Sequence, residues 1–280
     1  MFNRTLSTFG AALLIAFPAH AFDFNFDQAI SIAKKVQQAH KPIGQPEEIE
    51  IGHGIAANLL GASPLLPDIR VQQYVNEVGR WLSLQTERPD LPWQFGVLDS
   101  TDINAFATPG GTIFITNGLL QRLDNESELA GVLAHEMVHV LRKHHLAALQ
   151  KAARIDIASE IAGETLKDRG NSEVLNKAIK GGTEVYARGL DKDDEFEADR
   201  MGIVIATRAG YDPYGLPAVL QMLDSINPQD TSLALMFKTH PSPHDRLNLL
   251  DKEMGDRFDD YPAPLQADKR FYSEMTARRK

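Results

Sequence analysis

His135-Glu136-Met137-Val138-His139 stands in the middle of a helical hydrophobic pattern. On an α-helix, histidines four residues apart project from one face, one turn from each other, so both imidazoles reach a single metal ion. Glu136, beside the first of them, is then placed to take a proton from a water polarised at that metal. This H-E-x-x-H arrangement is the signature of a zinc hydrolase, although the same letters also arise by chance on a solvated helix face. The helix is therefore the context that decides. Asn125 reads as its N-cap with Glu128 as capping-box partner, and Leu129, Val132, Leu133, Met137, Val140 and Leu141 follow at helical spacing. The expected span is residues 126–150. Gly131, one turn before His135, marks a place where something packs close: a strand, or a substrate needing clearance.

At 280 residues, 43% hydrophobic and 24% charged, the chain has an ordinary globular composition and room for a full-size core. Its first 21 residues differ. Arg4 is their one charged side chain, a short apolar core follows, and Pro18-Ala19-His20-Ala21 ends in a small-x-small pattern, so residues 1–21 are expected to be a cleaved secretory signal. Residues 22–260 are expected to form a single domain, N-terminal helices to about 90 and a catalytic core from about 91, with 261–280 a polar, loosely packed tail. No later segment is long and apolar enough to span a bilayer. Cysteine is absent, which excludes a disulfide framework and a thiolate metal site and leaves histidines and carboxylates as the zinc ligands. Losing the signal would move the net charge from −9 to −10, and such acidity argues against nucleic acid or anionic lipid as the main partner.

The pattern along the chain is of strands grouped early and helices dominating later, an α+β fold. Helices are expected at 22–40, 47–60 and 68–84. Trp93, Phe95 and Val97 alternate as in a half-buried strand, and a second strand follows at 112–116, introduced by a Thr108-Pro109-Gly110-Gly111 turn that suits a sheet edge. Beyond the metal helix come a polar, Gly-interrupted region at 163–183, helices at 193–209 and 215–226, and a last helix starting near Asp245.

A catalytic zinc needs a third protein ligand and an open position. His145 lies at the spacing at which metzincins place their third histidine, but that class breaks its helix with a glycine where this chain has Arg142. The helix is therefore expected to run on and carry His145 away from the metal. Glu195 is the better candidate. On a helix Glu195 and Asp199 share a face while Glu197 points roughly the opposite way, so Glu195 can ligate as Asp199 accepts from the second nitrogen of a ligand histidine. Gly202 and Ala206 continue that face with small residues, as close packing on the metal helix requires. Spacing alone fits equally a solvated, acidic helix start stabilised by the macrodipole.

His135-Glu136-x-x-His139 combined with Glu195-x-x-x-Asp199 resembles the gluzincin metallopeptidase family that includes HtpX, the type I CAAX prenyl proteases and the mitochondrial Oma protease. The stretch from Asn104 through Ala105 and Pro109 to Gly110 and Gly111 is similar to further signatures of that family, as are Asn117-Gly118-Leu119 and Thr239-His240-Pro241 followed by Arg246. The likeness covers roughly residues 47–250 and is greatest to stand-alone periplasmic, LoiP-like members. It implies a mainly helical zincin-type domain with a small sheet, whose edge strand borders the active-site cleft. It implies His135, His139 and Glu195 as ligands of one Zn²⁺ per chain, Glu136 as catalytic base and Asp199 as the outer partner of a ligand histidine. His240 would lie by the zinc, stabilising the oxyanion or filling the open position, with Arg246 ordering its loop; from the residues alone His240 is equally a loop histidine held by flanking prolines. The turn carrying Asn104, Ala105, Gly110 and Gly111, with the strand after it, would be the edge to which an extended peptide adds.

The expected function is therefore a periplasmic zinc endopeptidase that cleaves unfolded or misassembled envelope proteins, with outer-membrane assembly machinery as a candidate partner. The alternative is a zinc-stabilised chaperone or assembly factor. Glu136 separates the two, because a holding role needs no base there.

Overall fold

The computed structural model describes residues 42–152, 190–227, 229–240, 242–258, 261 and 268–276. The expected signal at 1–21, the helix expected at 22–40, the region 163–183 and Pro241 lie outside the described residues.

Helix α1 (Gln45–Ala62) has Pro46 in its first turn, where a missing N–H costs nothing. Helix α2 (Ile69–Ser83) starts at Asp68, whose carboxylate accepts from the backbone N–H groups of Arg70 and Val71 at 3.1 and 3.4 Å. Val71, Tyr74, Val75, Val78 and Leu82 form its buried stripe. Strands β1 (Gln94–Leu98), β2 (Ala105–Thr108) and β3 (Thr112–Thr116) make one sheet in the order β1-β3-β2, with β1 parallel and β2 antiparallel to β3.

Two expectations about the sheet are corrected here. The stretch expected to be a turn contains β2, and the strand at 112–116, expected at the edge, lies in the centre. Ala105-Phe106-Ala107-Thr108 is short and its two alanines are weak strand formers, so its state is completed by the hairpin that pairs Thr108 with Thr112. Gly110 and Gly111, at φ 82° and 108°, make that reversal possible. The sheet is also covered on both faces rather than one. Phe95, Val97, Ala105, Ala107, Ile113 and Ile115 join the main core, while Leu98, Phe106 and Phe114 pack with Ile51, Ile55, Leu146 and Leu149 in a second cluster.

A short α3 (Asn117–Leu120) leads to α4 (Glu126–Leu141), all of whose side chains are buried. Asn125 is the N-cap, as expected, its Oδ1 accepting from the Glu128 backbone N–H at 3.0 Å. Glu128, however, reaches back to the N–H of Asp124 at 2.7 Å and the side-chain amide of Asn125 at 3.0 Å instead of the Asn125 backbone N–H of a capping box. The helix does not run on to residue 150. It ends at Arg142, Lys143 adopts a left-handed φ of 59°, and a new helix, α5, covers 144–152. The cause is tertiary. Lys143 Nζ lies 2.9 Å from Oε2 of the buried Glu48 on α1, which Arg88 also grips at 2.9 and 3.1 Å.

Helix α6 (Lys192–Arg208) packs against α4 more extensively than any other element. Gly202 permits this approach, since a Cβ there would sit 3.0 Å from the backbone nitrogen of His135. Gly131 does the same for α7 (Gly215–Ser225), where a Cβ would meet Leu216 at 2.8 Å; its close neighbour is a helix start, neither a strand nor a substrate. After α8 (Met236–Thr239) and α9 (Pro243–Met254), α10 (Asp268–Thr276) closes the described chain. That last segment is docked, not loose. Phe271 is in the main core, and Arg270 reaches the buried Glu126 at the head of α4, which also accepts from the hydroxyls of Tyr74 and Tyr211 at 2.7 and 2.9 Å. Among the described residues no helix is long and apolar enough to cross a membrane.

Candidate metal centre

α4 contributes His135, Glu136 and His139 from consecutive turns, and α6 brings Glu195 against them. His135 and His139 point their Nε2 atoms at one place, 3.1 Å apart. Glu195 closes the group, its carboxylate oxygens 3.7 Å from His135 Nε2 and 3.6 Å from His139 Nε2. His240, at the end of α8, joins them with Nδ1 3.0 Å from Glu195 Oε2 and Nε2 3.6 Å from Glu136 Oε1. The four buried residues His135, His139, Glu195 and His240 offer ligand atoms that all lie within 4.8 Å of one another. Nitrogen and carboxylate donors at this spacing fit a metal ion.

Outside this group, His135 Nδ1 lies 3.0 Å from Asp199 Oδ1. Arg246, from α9, donates to Asp199 Oδ2 through Nε at 2.7 Å and stands 3.3 Å from Glu195 through Nη1. Arg246 thus ties both carboxylates of the E-x-x-x-D pair to the segment carrying His240. On α6, Glu197 points away from the ligand atoms as its spacing predicts, toward Arg142 Nε at 3.0 Å and His144 at 3.3 Å.

The electrostatics follow from burial and these neighbours. Burial raises the Glu136 carboxyl above the usual range, outweighing the nearby His240 and His135, as suits a proton acceptor. Glu195 is opposed by burial, but His240 and Arg246 outweigh it and hold the carboxyl down near about 2. Asp199 is likewise opposed by burial and held well below its ordinary value by Arg246 and His135. Burial and the crowd of imidazoles drive His139 far down, leaving a neutral ring with a lone pair for a metal. His240 resists burial and is raised, because Glu195 and Glu136 face it. Glu136 Oε2 is buried and has no hydrogen-bond partner among the described residues, an orphaned acceptor on a side chain whose Oε1 lies 3.6 Å from His240 Nε2. This fits a site that takes a metal and a water.

A small cavity of about 30 Å³ beside the cluster is lined by Ala105, Val132, Glu136, Leu220, Met236 and His240, among others, room for about two waters. A larger one of about 330 Å³, around Trp81 on α2 and Leu84 just after it, is lined by none of the metal-centre residues. Of the expected substrate-edge residues, Ala105 lines the metal-centre cavity, and Asn104 Oδ1 accepts from the Ala105 N–H at 2.9 Å. Gly110 and Gly111 sit at the other end of β2, against Ile49 and Trp93, and build the hairpin.

His145 is kept out of the metal group, as expected, but by a different route from a continuous helix. It is buried beside His139, ring centroids 5.4 Å apart, with burial and His240 lowering it to about 3. The residue that sequence reasoning missed is His144, whose Nδ1 lies 2.9 Å from His139 Nδ1. On an unbroken helix His144 would project from a different side than His139, so no periodic signal could have found it.

Residues 69–254 match the model of peptidase family M48. The chain belongs to that family. It is 30% identical over 250 residues to the beta-barrel assembly-enhancing protease of Escherichia coli (strain K12), an alignment covering 88% of this chain and 51% of that protein. The protein of the same name from Yersinia pestis is 30% identical over 207 residues, 72% of this chain and 43% of its own. The mitochondrial metalloendopeptidase OMA1 of Schizosaccharomyces pombe is 25% identical over 181 residues, 64% of this chain and 52% of its own. The chain thus spans about half the length of the relatives it matches.

Proposed function

We propose that this M48 peptidase is a zinc metalloendopeptidase that cleaves unfolded or misassembled envelope proteins in the periplasm. The observation that carries the reading is the orphaned Glu136 Oε2, on the residue that follows His135 of the group His135, His139, Glu195 and His240. His135, His139 and Glu195 would hold one zinc ion. Bound there, zinc would polarise the scissile carbonyl and lower the pKa of a water toward neutrality. Glu136, its basicity raised by burial, takes that water's proton and passes it to the leaving amine. Asp199 and Arg246 hold His135 and Glu195 in place while this happens.

The β2 edge supports an extended peptide as substrate, because Ala105 lies on the cavity with Glu136 and His240. Asn104 already takes the Ala105 N–H, so an incoming strand has to displace that contact. His240 offers a ligand atom in the same group as His135, His139 and Glu195, which supports a resting form in which it holds the fourth position. A link to the assembly of β-barrel proteins comes from the name of the E. coli and Y. pestis relatives, beta-barrel assembly-enhancing protease. Export rests on the N-terminal pattern of residues 1–21. The test is metal analysis of the purified protein together with digestion of an unfolded protein, with and without a chelator. Stoichiometric zinc and chelator-sensitive cleavage are expected; absence of both removes the reading.

A further inference from the structure

Two histidines of the metal centre need outer partners to fix their rings, and the E-x-x-x-D motif accounts for one of them. Asp199 serves His135. For His139 the contact is His144, buried at 5% exposure, Nδ1 to Nδ1 at 2.9 Å with the two rings 70° apart. The far nitrogen of His144, Nε2, faces Glu197 Oε2 at 3.3 Å and Asp194 Oδ1 at 3.6 Å.

We propose that His144 is a positioning residue for the metal site, accepting the Nδ1 proton of His139 and handing its own orientation to the acidic start of α6. The step rests on the reading of His139 as a metal ligand. If His139 gives its Nε2 lone pair to the metal, its neutral ring carries the proton on Nδ1. His144 Nδ1 must then be the acceptor, which leaves its own proton on Nε2, facing Glu197 and Asp194. The order is carboxylate, His144, His139, metal. An outer partner of this kind fixes the tautomer and ring angle of a ligand histidine and raises its basicity.

Three separate segments cooperate to put His144 there. The left-handed turn at Lys143 swings residue 144 back over His139 instead of one step further round the helix. Glu48, on α1, holds that turn through Lys143 Nζ at 2.9 Å, and Arg88 holds Glu48. A left-handed lysine is uncommon and is kept only where surrounding contacts over-determine it. Here the contact that keeps it belongs to a helix that otherwise takes no part in the site.

The test compares His144→Leu with His144→Asn in the full chain. Asparagine places a carbonyl oxygen near the position of Nδ1 and preserves the acceptor; leucine fills the space without one. Zinc affinity, measured by competition with a chromogenic chelator, should fall by about 10–100-fold in the leucine variant. The asparagine variant should recover most of it, and the visible spectrum of the cobalt-loaded leucine variant should shift from that of the wild type. Equal affinity in wild type and leucine variant, or equal loss in both variants, overturns the proposal. If the leucine variant does not fold, long-range proton–nitrogen NMR of the zinc-loaded wild type decides: His139 protonated on Nδ1 with His144 protonated on Nε2 supports it, and His144 protonated on Nδ1 overturns it. A wild type that binds no zinc would instead remove the metallopeptidase reading itself.

Discussion

His240 Nδ1 lies 3.0 Å from Glu195 Oε2, so a residue from the turn between α8 and α9 touches the carboxylate that α6 supplies to the metal group. His240 is therefore a fourth potential ligand as much as a neighbour. Two roles follow from this position, and they have opposite signs. Holding the fourth position keeps the enzyme latent, whereas facing the oxyanion would aid catalysis. The grouping of His240 with the other three ligand residues favours latency. His240→Ala should then raise basal proteolysis of an unfolded protein by about tenfold, the factor produced by a preference of about 1.4 kcal/mol for the closed form. A fall of about 10²-fold would assign His240 to the oxyanion instead. Unchanged kinetics with zinc intact would make it a structural loop residue.

Glu48 supplies a pH-dependent contribution away from the metal. Burial opposes its ionisation, but Arg88 and Lys143 outweigh burial and lower its folded pKa below the unfolded one. Its stabilisation is therefore present above the ordinary glutamate range and lost as pH falls through the folded value. Glu48→Gln should cost about 2 kcal/mol at neutral pH, the worth of hydrogen bonds to a charged group. The gap from wild type should close as the metal-free proteins are unfolded in denaturant below about pH 4. A gap that stays constant with pH would contradict the assignment.

The two glutamates at the start of α6 should behave differently. Glu195→Ala removes a carboxylate from the candidate metal group and should lose zinc on dialysis, as read by elemental analysis. Glu197 is partly exposed, lies on the far side of the metal group, and shares His144 with Asp194, so Glu197→Ala should retain zinc. Equal loss in both variants would refute the helical-face geometry.

Much of the metal centre was legible because it lies on two helices whose period is visible in the sequence. His135 and His139 on α4, and Glu195 and Asp199 on α6, fall on single faces at a spacing of four, and Gly202 marks the close approach between them. What was not legible depends on partners distant in the chain. The break at Lys143 is held by Glu48, so neither the end of α4 nor the place of His144 follows from local pattern. β2 is four residues whose strand state comes from pairing with β3. α10 reads as polar, yet it docks through Phe271 and the Arg270 contact with Glu126. Short elements and left-handed turns are decided by tertiary contacts, and these the helical periodicity does not report.

The central claim is that Glu136 acts as a base and does not ligate. Glu136→Gln keeps the size and burial of the side chain while removing its ability to take a proton. The variant should bind zinc as the wild type does, by elemental analysis, unfold at the same denaturant concentration, and digest unfolded casein at least about 10²–10⁴-fold more slowly. Wild-type digestion by a zinc-loaded Glu136→Gln protein would contradict the account.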